Sequence, residues 1–249
     1  MSVFLESFVG LGFLVFFLAS SVVGVRLLLL WRRTRELPEL LIGLGVLGIG
    51  PVGFGFITIG ELCVTGAPEV AQILIGTGLV AMSVGASAKY VFNWRVYHAG
   101  NRRLRTLVAC ACVLLAACLA WEYAVTGFRS LARPGSSYFL RIGLQVGCLL
   151  WGSLEALRYW DRMRRRVRIQ LADPVVSNRF LLWGLGAGAA GVGSAVGGFM
   201  QWWTQLPPID MPWAMLSSSL HGIAAAIAMW LAFVPNARYT RWIRARAAT

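Results

Sequence analysis

Lysine is nearly missing from this chain: Lys89 stands alone against 22 arginines. Charge of either sign is scarce, 33 of 249 residues or 13%, roughly half the share of a soluble domain. That scarcity excludes a soluble globular protein. Histidine is limited to His98 and His221, which the spans below place on opposite sides of a membrane. Bis-histidine haem ligation, an H-E-x-x-H zinc helix and a two-histidine metal centre therefore all fail. Of the five cysteines only Cys63 falls on the outer side, so an external disulfide framework has no partners to draw on. Cys110 and Cys112 would point about 200° apart on a helix and share no ligand site. There is no G-x-S-x-G elbow and no Gly-Lys phosphate loop, and Asp161, Asp173 and Asp210 all lie in connections. These absences argue against an enzyme, a metal and a cofactor.

What is abundant is apolar sequence: 58% hydrophobic residues, 28 glycines and a mean hydropathy of +0.68. Seven apolar runs, at 4–30, 40–60, 69–94, 105–126, 138–160, 180–203 and 213–235, are each long enough to cross a hydrocarbon layer about 30 Å thick. The predicted fold class is an all-α integral membrane protein, with 1–249 a single seven-helix domain and 236–249 a basic interfacial tail. The first run reads as a retained helix rather than a signal peptide, because Met1–Gly10 has no basic residue and the positive charge follows the run.

The arginines set the orientation. Arg26, Arg32, Arg33, Arg35, Arg95, Arg102, Arg103 and Arg105 flank the first and third connections. Arg158, Arg162, Arg164, Arg165, Arg166, Arg168 and Arg179 surround the fifth, and Arg238, Arg241, Arg244 and Arg246 fill the tail. Nineteen arginines thus share one side, whereas the other holds Arg129, Arg133 and Arg141 together with Glu6, Glu61, Glu69, Glu122 and Asp210. The positive-inside rule predicts a cytoplasmic C-terminus and, with seven crossings, an outside N-terminus. Trp121, Trp202, Trp203 and Trp213 at one boundary and Trp31, Trp94, Trp160 and Trp242 at the other fit aromatic belts. The arginine-for-lysine bias points to a GC-rich genome and a bacterial inner membrane. The arginines would hold anionic headgroups rather than nucleic acid.

One internal match stands out: Leu40–Gly45 and Leu181–Gly186 agree at five of six positions, each after a basic connection containing proline. Spans one to three and five to seven would then be parallel repeats, joined by the fourth in a 3+1+3 arrangement. This layout resembles that of the SWEET-type sugar transporters in topology alone, since the sequence has no Pro-Gln pair and its first and fifth spans lack proline. Seven helices in this orientation also resemble microbial rhodopsins and G-protein-coupled receptors. The seventh span has no lysine for a Schiff base, which excludes a retinal protein of the usual kind.

Glycine in the second and sixth spans reads first as close helix packing. Gly50-Pro51 adds a kink, because proline removes one helix hydrogen bond, and this pair is the candidate hinge.

Ionisable groups within spans are costly and mark candidate sites. Lys89 lies six residues, about 9 Å, from Arg95 and is within snorkelling reach of the interface. Glu155 is three residues from Arg158 and forms either a local ion pair or an inner gate with Lys89. Gln72, Ser83 and Tyr90 fall on one helical face, which faces the bundle interior and is a candidate lining of the ligand pocket or pathway. Glu122, Arg141, Gln145, Ser218 and His221 gather in the outer halves of three spans and make the candidate solute pocket or pathway. The functional expectation is a membrane protein that binds or translocates an unidentified small solute. The alternatives are a receptor-like sensor acting through a cytoplasmic partner at the 160–179 connection, or a structural subunit of a membrane complex.

Overall fold

The computed structural model describes residues 3–129, 135–206 and 210–247. Arg133 and the side chain of Glu6, assigned above to the outer side, lie outside the described residues. Every regular element among those described is helical: α1 (Val3–Thr34), α2 (Leu37–Ile49), a π-helical turn (Gly50–Gly55), α3 (Phe56–Cys63), α4 (Pro68–Tyr97), α5 (Arg102–Thr126), α6 (Ser136–Arg168), α7 (Pro174–Thr204), α8 (Pro212–Phe233) and α9 (Ala237–Ala247).

Local chemistry explains the boundaries. Pro38, Pro68, Pro174 and Pro212 sit in first turns, where the missing N–H costs nothing. Asn101 caps α5 by accepting from the Leu104 N–H at 3.2 Å, and Asp173 caps α7 by accepting from the Val175 N–H at 2.9 Å. Gly127 ends α5 in the left-handed region at φ 61°, which only glycine adopts without strain.

Six of these segments are long and apolar enough to cross a membrane: α1, α2 through α3, α4, α5, α7 and α8. The fifth apolar run, 138–160, falls on α6, which is 33 residues long but interrupted by Arg141 and Glu155. The helix also continues past residue 160 to Arg168, and α7 starts at Pro174. The expected 160–179 connection shrinks accordingly to 169–173. Asp161 accounts for part of this, since it pairs with Arg164 and Arg165 at 3.0 Å each on the exposed extension. Arginines in the last turn also complement the helix dipole.

The helices close into a ring. The α2–α3 segment lies between α1 and α4, α4 touches α6, α7 lies between α6 and α8, and α8 returns to α1. Helix α5 sits outside, against α4 and α6. Val23 and Leu27 of α1, Val46 of α2, Ala156 of α6, Trp183 of α7 and Met229 of α8 form a common core at the arginine-rich end. The tail helix α9 docks on α7 through Asn178, whose amide donates to the Tyr239 hydroxyl at 2.9 Å, and through the buried Ile243.

Glycine sets the helix spacing. A Cβ on Gly48 would lie 2.5 Å from the Ala81 carbonyl, and one on Gly85 would lie 2.9 Å from the Ile49 nitrogen, so α2 and α4 meet backbone to backbone. On α7, Gly184, Gly191 and Gly198 face α6, while Gly186 and Gly193 face α8. The predicted proline kink takes the form of the π turn Gly50–Gly55, where the hydrogen-bond register slips by one residue. A Cβ on Gly53 would fall on the Gly48 carbonyl, so the turn requires glycine there.

Candidate functional site

Helix α6 carries more buried polar residues than any other helix among the described residues. Arg141, Gln145, Ser153 and Glu155 lie on its inward stripe, and each is within a tenth of full burial. Charged and amide groups are costly in an apolar surround, and this polar face accordingly meets other helices. The seams on either side of it are hydrogen-bonded accordingly. Tyr90 donates to the Leu144 carbonyl at 2.7 Å, Asn93 donates to the Cys148 carbonyl at 3.0 Å, and Ser153 donates to the Gly184 carbonyl at 2.7 Å.

At the end remote from the arginines, four side chains from three helices form a linked node. Arg141 Nε donates to Glu122 Oε2 at 3.2 Å, and the Arg141 guanidinium lies 5.2 Å from the Tyr138 ring centre. The Tyr138 hydroxyl donates to Gln201 Oε1 at 3.0 Å. Arg141 is 1% exposed, Glu122 and Gln201 2% each. The helices align these groups because Glu122, Arg141 and Gln201 all lie within about 8 Å, along their own helices, of the same end of the bundle.

The node is incompletely satisfied. Glu122 Oε1 and Gln201 Nε2, at its two ends, are buried with no hydrogen-bond partner among the described residues, as is Ser83 Oγ on α4. Next to Ser83, Met82 places its sulfur 3.6 Å from Arg141 Nη1. A Cβ on Gly53 would lie 3.2 Å from the Met82 Cβ, so one side chain connects the π turn to the node.

The remaining predicted residues are placed elsewhere. His221 turns back on its own helix, with Nδ1 2.7 Å from the Ser217 carbonyl, and it packs on Gly193 of α7. Gly193 lies eight residues, about 12 Å, from Gln201, which separates His221 from the node by helical rise. Ser218 is exposed, beside Gly197. Gln145 is buried one turn below Arg141, and Gln72 lies near the Gly127 turn.

At the arginine-rich end, Lys89 and Glu155 do not pair. Glu155 Oε1 is taken by Arg158 at 3.0 Å and by His98 Nε2 at 3.2 Å. Nor does Lys89 snorkel: it is 6% exposed, its stem packs on Gly45, and its Nζ lies 3.9 Å from the Trp183 ring centre. Trp183 is itself held by edge contacts with Phe92 and Phe233. An aromatic face inside the bundle thus outcompetes the distant interface for the ammonium. Among the described residues no carboxylate lies within ion-pair distance of it.

Sequence reasoning missed Tyr138 and Gln201. The available signals were that Tyr138 precedes Arg141 by one helical turn and that Gln201 is the one amide between Arg179 and Thr204. No protein-family model, no curated protein and no solved structure matches this chain.

Proposed function

We propose that this chain is a seven-crossing protein of a bacterial inner membrane that binds or translocates a small polar solute at the Glu122–Arg141–Tyr138–Gln201 node. In this reading α6 is the fifth of the seven crossings. Its length, about 50 Å at 1.5 Å per residue, exceeds the hydrocarbon thickness. Arg141 and Glu155 within the apolar stretch face other helices, and the exposed Arg158 sits at its arginine-rich end, which is the condition for insertion. The arginine distribution then puts the C-terminus in the cytoplasm and the node towards the outside. The matching neighbour order of the triplets α1, α2–α3, α4 and α6, α7, α8 supports the duplication.

The unsatisfied atoms carry the proposal. Buried polar groups without partners are few in native proteins, and each one in an apolar surround costs about 1–3 kcal/mol. Glu122 Oε1 needs a donor and Gln201 Nε2 needs an acceptor. A solute presenting an anionic or carbonyl oxygen to Arg141 and Gln201, and an N–H or O–H to Glu122, meets those needs. The π turn supplies the moving part, because a slipped helix register returns to α geometry at small cost and Met82 transmits the change to Arg141.

A thermal-shift screen of the purified protein against sugars, amino acids and small carboxylates tests this reading. A solute that stabilises the native chain and loses its effect in both Glu122→Gln and Gln201→Leu is the expected result, followed by its flux in liposomes. Stabilisation that survives both substitutions places the site elsewhere and refutes the proposal.

A further inference from the structure

A second feature lies at the arginine-rich end and is independent of the node. A cleft of about 300 Å³ opens where the peripheral helix α5 meets α4 and α6, lined by Leu104, Leu107, Val108, Tyr90 and Trp151. Its surface is apolar in effect, since the Tyr90 hydroxyl is already bound to the Leu144 carbonyl. Leu104 to Val108 lie within about 9 Å of the start of α5, which is the depth where acyl chains begin below their headgroups.

The rim is cationic. Arg103 precedes Leu107 by four residues and so shares its face of α5, with Arg102 beside it. Neither arginine has an ion-pair partner among the described residues. They stand at the positive end of the helix dipole, where cations are unfavourable unless an anion offsets them. On α4, Trp94 follows Tyr90 by one turn, and its indole N–H is buried without an acceptor among the described residues. The nearby carboxylate of Glu155 is already occupied by His98 and Arg158.

We infer that this cleft binds one acyl chain of an anionic glycerophospholipid whose phosphate is held by Arg102 and Arg103. A partner helix, about 10–12 Å across with its side chains, does not fit so small a cleft. A soluble anion would satisfy the arginines but leave the apolar lining uncovered. One molecule with a negative head and a hydrocarbon chain satisfies both.

The test compares phosphatidylglycerol, phosphatidylcholine with the same acyl chains, and inorganic phosphate, each added to the purified full-length protein in neutral detergent. Melting temperature and retention in native mass spectrometry are the readouts. Phosphatidylglycerol is expected to stabilise and be retained, and the other two are not. Arg102→Gln with Arg103→Gln should weaken that binding roughly 30-fold, from the attraction of about two basic residues. Leu107→Trp, at a residue 62% exposed, should fill the cleft and abolish the lipid effect while leaving the lipid-free melting temperature within a few degrees. Arg241→Gln with Arg244→Gln in the tail should leave it intact. The inference is overturned by equal stabilisation from phosphatidylcholine, by the same effect from phosphate alone, by persistence in the cleft variants, or by loss in the tail variant.

Discussion

The pairing of Glu122 with Arg141 yields the sharpest test of how the node is built. Both groups are almost wholly buried at 3.2 Å separation. Removing one member of a buried pair strands the other charge, at a cost of about 3–5 kcal/mol. Arg141→Met leaves Glu122 with both oxygens unpaired, and Glu122→Leu leaves a guanidinium whose remaining contacts are the Tyr138 ring and the Met82 sulfur. With about 2–4 °C of melting temperature per kcal/mol for a chain of this size, each single variant should melt roughly 6–20 °C below the native protein. The double variant buries no stranded charge, and exchange of an ion pair for apolar side chains of similar volume is often neutral or stabilising. It should therefore recover to within about 4 °C of the native value, a coupling of at least about 2 kcal/mol in a double-mutant cycle. Tryptophan fluorescence during heating in detergent gives all four values, and the solute that stabilises the native chain should have no effect on the double variant. Additive losses in the two single variants, with coupling below about 0.5 kcal/mol, would refute the account of the pair as a mutually neutralising unit.

Other substitutions probe the rest of the bundle. Lys89→Met removes a buried cation that no carboxylate neutralises and keeps the packing on Trp183, so stability should rise by about 1–2 kcal/mol; a fall in melting temperature would reveal an anionic partner. Gly85→Ala places a methyl 2.9 Å from the Ile49 nitrogen and should cost about 1–3 kcal/mol, whereas Gly143→Ala, with nothing within 4 Å, should stay within about 0.5 kcal/mol of the native protein. In a cysteine-free background, Gly66→Cys should react with a membrane-impermeant maleimide from the outside and Arg166→Cys only after the membrane is opened; the reverse pattern would invert the orientation.

Much of the helical plan was legible in residue order. Apolar run length reports helices of crossing length, and prolines, Asn101, Asp173 and Gly127 report where several of them begin and end, because these are local effects of backbone hydrogen bonding. The concentration of arginine at particular connections, and the glycine content of the second and sixth spans, were also visible without coordinates. The contact between Glu155 and Arg158 needed only their i,i+3 spacing.

The tertiary structure decided what each polar group meets, since partners on different helices depend on helix rotation and relative depth. Depth alone made Lys89 and Glu155 look like a pair, but Trp183 and His98 lie nearer to them across the bundle. His221 and Arg141 share an outer half in the sequence, yet His221 packs on α7 two turns away from Gln201. Proline at position 51 announced a break in the helix, while its form as a π turn, with glycine required at position 53, was visible only in the structure. The unsatisfied atoms of Glu122 and Gln201 belong wholly to this level, because a missing partner can be recognised only when every neighbouring helix is in place.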